Sequence, residues 1–176
     1  MLLETITADR IRLDLAWSGE RLAGIRLLWA DTALPTTALS SQGSAMAAAL
    51  ARYASGQDAR WPDVALADDT LTPFSRAVLA TLRLKAPHGA VLTYGGLAAL
   101  AGYPRAARAV GRAMAANRWP LLVPCHRVVG ASGALTGFTG SGLGMKAHLL
   151  ALEGIDVANN TIARHLPPQA AGTGHR

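Results

Sequence analysis

Only one cysteine, Cys125, occurs in the 176 residues, which excludes an internal disulfide and any zinc site built from several thiolates. Lysine is almost as scarce: Lys85 and Lys146 are the only two, so every other member of the 17 basic residues is arginine, the side chain suited to forked phosphate contacts. Acidic residues nearly vanish after residue 69, where only Glu153 and Asp156 remain. The formal net charge of +6 therefore hides an acidic first part and a strongly basic second part, the candidate polyanion-binding surface. Long apolar runs are absent too. The uncharged run from Gly89 to Pro104 is interrupted by Gly95, Gly96 and Gly102 and is short for a bilayer span. Glu4, Asp9 and Asp14 break up the opening segment, unlike a secretory signal. No membrane association and a cytoplasmic location are expected.

What is present is 51% hydrophobic residues, enough for a proper core. Ile11, Leu13, Leu15 and Trp17 alternate with other residues, Ser18-Gly19-Glu20 supplies a turn, and Leu22 to Trp29 reads as the returning strand of a hairpin. Ser44 to Tyr53 reads as a helix ending near Ser55-Gly56. The Asp- and Pro-rich stretch from Trp61 to Asp69 marks a domain boundary, giving an N-terminal α/β domain over 1–68 and a mainly α domain over 69–166. Thr72-Pro73 has the form of an N-cap and first-turn proline, and the helical spacing of Phe74, Ala77, Val78, Thr81 and Leu82 continues it to Lys85. The tail 167–176 is expected to be disordered, and no internal repeat is visible.

Two patterns in the second part carry chemistry. Tyr94 to Leu100 and Arg105 to Ala116 read as two helices around the Gly102-Tyr103-Pro104 break, the form of a helix-turn-helix. Arg105, Arg108 and Arg112 would share one face of the second helix, and Val110, Ala113 and Met114 the other. The small Ala107 and Ala109 beside Arg108 would let that helix approach a narrow groove. The second pattern is Pro124-Cys125-His126-Arg127-Val128-Val129. A thiol nucleophile needs an adjacent base or positive charge, which His126 and Arg127 provide in kind. On an extended chain His126 would point away from the sulfur and act through a bridging water. Glu153, after a helix over Met145–Leu152, is the better of the two acids to orient the imidazole. On residues alone, an inert cysteine in a DNA-binding module and a cysteine hydrolase remain alternatives.

From Phe74 to Gly154 the sequence resembles the O6-alkylguanine-DNA alkyltransferases. The match rests on Thr93-Tyr94, Ala106 to Gly111, Asn117, the Pro-Cys-His-Arg-Val-Val run and Leu149 to Gly154. The N-terminal part is similar more loosely, through Leu50, Tyr53 and Gly56, and by family would be ribonuclease-H-like. The resemblance implies a DNA repair protein that takes an alkyl group from O6-alkylguanine in duplex DNA, with O4-alkylthymine a further candidate, onto Cys125. It would act once per molecule, as a monomer, with no cofactor or metal. Arg108 would intrude into the duplex, Tyr94 would crowd the phosphate and assist the leaving guanine, His126 and Glu153 would form the relay, and Asn117 would hold the turn before the cysteine. Arg105, Ala107, Ala109, Gly111 and Arg112 would meet DNA, and Met114, Val128, Phe138, Thr139 and Gly140 would line the base pocket. Arg118 stands where the family often has proline, and the Gly-rich loop from Gly137 varies among members. Small residues in that loop would leave room for alkyl groups larger than methyl.

Overall fold

The computed structural model describes residues 1–30, 38–138 and 141–162. Its first part is an antiparallel sheet of β1 (Leu2–Ala8), β2 (Ile11–Ser18) and β3 (Arg21–Trp29), in that order. The alternation read in β2 is physical: Ile11, Leu13, Leu15 and Trp17 are buried on one face while Arg12 and Asp14 lie on the other. Strand β1 is absent from the expectations above, and the reason is Glu4. This carboxylate occupies an inward, buried position where an apolar residue would have completed the pattern. It accepts from Trp17 Nε1 at 2.6 Å and from the backbone N–H and hydroxyl of Ser40. Ser40 in turn caps α1 (Ser41–Ala54), accepting from Gly43 N, so one buried acid ties β1 to both β2 and the helix start. Gly43 is needed there, since a Cβ would lie 2.5 Å from the Glu4 carboxylate.

Helix α1 lays Met46, Leu50 and Tyr53 on the core. The boundary loop runs beside β3, with Leu22 N donating to Ala65 O at 2.8 Å and Ala67 N to Leu22 O at 3.0 Å. Helix α2 (Pro73–Lys85) begins as read, with Thr72 Oγ1 accepting from Ser75 N at 3.1 Å. Strand β4 (Leu92–Thr93) leads directly into α3 (Tyr94–Leu100) and pairs in parallel with β5 (Val128–Val129), Leu92 against Val128. That pairing brings the start of α3 beside the segment that carries Cys125.

Helix α4 is shorter than expected, Ala107–Ala115, and Arg105 lies outside it. Pro104 and Arg105 occupy the middle of a turn closed by Ala106 N donating to Tyr103 O at 3.1 Å, with Arg105 at φ 75°. Proline first and a positive φ second is type II turn geometry, which halts the helix. Arg105 is thus not on the helical stripe with Arg108 and Arg112. Helix α5 (Gly142–Leu152) starts earlier than expected, and β6 (Val157–Ala158) with β7 (Thr161–Ile162) forms a small hairpin. One apolar cluster runs through the sheet and all five helices, from Ile6 to Leu149. The architecture is mixed α/β. Among the described residues no helix is long and apolar enough to cross a membrane. The tail expectation for 167–176 lies outside the described residues.

Candidate active site

Cys125 is set by the turn before it. Asn117, just past α4, donates from Nδ2 to Val123 O at 2.9 Å and to Cys125 Sγ at 3.1 Å, while its Oδ1 accepts from Trp119 N at 3.0 Å. One amide thus staples both the loop and the sulfur, the positioning expected of it. Cys125–Arg127 is a turn of 3-10 helix and not the extended strand expected, because Cys125 N and Arg127 N bond back to Val123 O and Pro124 O. Successive side chains then diverge by about 120°. His126 still points away from the sulfur side, but for this reason.

Glu153, at the C-cap of α5, gathers the buried polar groups. Its Oε1 accepts from His126 Nε2 at 2.7 Å, Tyr53 Oη at 2.7 Å and Arg127 Nη2 at 2.9 Å. Its Oε2 accepts from Arg127 Nε at 2.8 Å and Gly89 N at 3.3 Å. Burial alone would raise this carboxyl, but the hydrogen bonds from His126 and Arg127 and the charge of the guanidinium outweigh it and hold it well below its ordinary value. An ionised acceptor on Nε2 requires the proton to sit there. Burial pushes the imidazole below its ordinary value in spite of Glu153, so His126 rests neutral. A neutral ring protonated at Nε2 leaves Nδ1 with its lone pair, and Nδ1 is buried with no protein hydrogen-bond partner among the described residues. His126 is therefore arranged as a base at Nδ1.

The positive charge near the sulfur is not the one expected. Arg127 turns its guanidinium to Glu153 and to Ala86 O, at 2.6 Å, and so serves the carboxylate. Lys146 is the cation whose charge favours the Cys125 thiolate. It is fully buried on α5, its Nζ donating to Val128 O at 2.6 Å and Thr136 O at 3.1 Å, and burial pulls it down to about 8. Burial still pushes the Cys125 thiol up, against the pull of Asn117 and Lys146, so the resting group is a thiol that needs a base. Lys146 was missed in the sequence, and Tyr53 was read there only as a loose family feature. The signal for Lys146 was there: it precedes Leu149 and Leu150 by three and four residues, on the apolar side of its helix.

Cys125 lines a cavity of about 580 Å³ together with Tyr94, Ala107, Arg108, Gly111, Met114 and Phe138, and with Thr136 and Gly137 of the following loop. Seven of the expected residues, Tyr94, Ala107, Arg108, Gly111, Met114, Cys125 and Phe138, thus converge on one opening. Arg108 and Arg112 are exposed on α4, and Arg105 is exposed on the preceding turn. Ala109 is half-buried and, like Arg105 and Arg112, does not line the cavity. Val128 does not line it either: its side chain is buried in the core and its carbonyl holds Lys146. Thr139 and Gly140 lie outside the described residues.

The family model described as 6-O-methylguanine DNA methyltransferase, DNA binding domain, matches residues 73–155. The methylated-DNA–protein-cysteine methyltransferase of Rattus norvegicus is 50% identical over 82 residues, which cover 47% of this chain and 39% of that protein. That of Homo sapiens is 54% identical over 81 residues, covering 46% and 39%. The chain thus spans well under half the length of these curated relatives. The crystal structure of Mycobacterium tuberculosis OGT in complex with DNA superposes with a TM-score of 0.71 at 37% identity, over 86% of this chain and 92% of that one.

Proposed function

The chain belongs to the O6-alkylguanine-DNA alkyltransferase family, and we propose that it repairs DNA by moving an alkyl group from guanine O6 onto Cys125, irreversibly and once per molecule. The observation that carries this reading is that a buried, base-assisted thiol opens onto the same cavity as Tyr94 and Arg108. A base still stacked in a duplex could not reach that sulfur, so the target nucleotide is rotated out of the helix and into the cavity, at a cost of a few kcal/mol. Helices α3 and α4 act as the helix-turn-helix, with α4 in the minor groove and Arg108 taking the place of the extruded base.

His126 Nδ1 takes the thiol proton through a bridging water, and Glu153 steadies the imidazolium that forms. Lys146 favours the thiolate. The sulfur attacks the alkyl carbon, an S–C bond forms, and the C–O6 bond breaks with its electron pair going to guanine. Tyr94 delivers a proton to the departing base. Tyr94 then regains a proton from solvent and the imidazolium of His126 gives one up, so the net change is one proton moved from the thiol to guanine. Among the described residues no group beside Cys125 can break a thioether, so the protein is spent after one transfer. O4-alkylthymine presents the same kind of alkyl–oxygen bond and is a candidate second substrate. We further assign residues 1–68 to a ribonuclease-H-like domain and residues 69–166 to the DNA-binding domain of a cytoplasmic monomer.

The relay is tested with His126→Ala and Glu153→Gln, rates being normalised to the folded fraction. Each is expected to slow alkyl transfer by about a hundredfold or more, the usual worth of a positioned general base. DNA affinity should stay within about twofold, because neither residue faces phosphate. Full transfer rate in both variants at neutral pH would rule the relay out.

A further inference from the structure

Tyr53 belongs to α1, 73 positions away from His126, yet its hydroxyl ends inside the relay. The side chain is fully buried. Its Oη lies 2.7 Å from Glu153 Oε1, 3.2 Å from His126 Nε2 and 3.3 Å from Leu149 O. A phenol has one proton to give, and the carboxylate is both the closest and the strongest acceptor. With that proton committed to Glu153, the lone pairs of Oη are what His126 meets. The Nε2–H then lies between two acceptors, Glu153 Oε1 and Tyr53 Oη.

Other charged or titratable groups around the phenol are few. Arg127 from the 3-10 turn holds Glu153 from its other side, the His88 ring sits edge-on at 6.2 Å, and Lys146 acts on His126 from α5. Arg127 and Gly89 donate to the carboxylate but can accept nothing from imidazole. Tyr53 alone among the contacts of Glu153 can do both, and it touches neither the sulfur nor the cavity.

We propose that Tyr53 is a positioning residue for alkyl transfer: its hydroxyl bridges Glu153 and His126, fixes the imidazole with Nε2 protonated, and shares the charge of the imidazolium. The proposal rests on the alkyl-transfer reading above. It also makes the relay a product of the whole chain, since one of its atoms arrives on α1 and is in place only when that helix is docked on the second part.

The test uses the full-length chain, wild type and Tyr53→Phe, each alone and combined with Glu153→Gln, reacted with O6-benzylguanine over a range of pH and melted in parallel. Phenylalanine keeps the ring packing beside Trp61 and His88. Tyr53→Phe is expected to react about five- to tenfold more slowly at neutral pH, the worth of one buried hydrogen bond. The limb of rising rate that follows deprotonation of His126 should move in the acid direction, because a less supported imidazolium gives up its proton at lower pH. In the Glu153→Gln background the same change should cost little further rate. A wild-type rate and pH profile in Tyr53→Phe would overturn the proposal, as would an equal loss in both backgrounds or a collapse of the fold, each of which makes the hydroxyl merely structural. If wild type itself reacts with neither O6-benzylguanine nor alkylated duplex, the alkyl-transfer reading fails instead.

Discussion

Arg127→Leu is expected to destabilise the folded chain by about 3–5 kcal/mol, the usual cost of removing one partner from a buried ion pair. Such a loss is a large fraction of the stability of an ordinary domain. Glu153 is 5% exposed and takes two of its five hydrogen bonds from that guanidinium. The penalty comes from the carboxylate left behind, so replacing both members by leucine should cost less than replacing Arg127 alone. The pH dependence has a definite sign. Glu153 is held below its ordinary value of 4.5 in the folded chain, so its contribution to stability is complete above that pH and is lost as pH falls through the lower, folded value. Urea unfolding should therefore show wild type and Arg127→Leu far apart at neutral pH and converging in acid. A separation that is constant across pH would mean that Arg127 packs without holding Glu153 ionised.

Arg108→Ala is expected to lower the rate of repair in duplex DNA on the order of a hundredfold, since extruding a base costs a few kcal/mol and each 1.4 kcal/mol is a factor of ten. Reaction with free O6-benzylguanine should change by less than about threefold, because a free base needs no extrusion. Single-turnover rates with the two substrates give the comparison directly. Arg108 is exposed at the lip of the cavity, on the face of α4 away from Val110, Ala113 and Met114. Equal losses with both substrates would put Arg108 in the chemistry of the pocket and remove the reason for assigning it to extrusion.

How much of this was legible in the sequence depends on where each signal lives. Strand β2, the cap at Thr72 and the extent of α3 follow from alternation, capping chemistry and glycine breaks, which act over a few residues. The His126–Glu153 contact was readable because Glu153 is one of only two acids in its part. The errors share a different cause. Strand β1 was hidden because Glu4 is satisfied by Trp17 and Ser40, partners 13 and 36 positions away. Arg127 was taken for the charge beside the sulfur because it is next but one in sequence, whereas the 3-10 turn sends it to Glu153 and leaves that part to Lys146. Tyr53 was noticed only as a loose family feature, and nothing local could say that its hydroxyl would meet a residue 100 positions on. Local chemistry is written in the sequence, but which buried polar groups pair is decided by packing.

Intact-protein mass, recorded before and after incubation with an excess of duplex carrying one O6-methylguanine, tests the central claim most directly. The account predicts that each molecule gains a single methyl group, that fragmentation places it on Cys125, that repaired guanine never exceeds the molar amount of protein, and that Cys125→Ala gains nothing. Continued repair beyond one equivalent, or a methyl group found on Cys125→Ala, would contradict it.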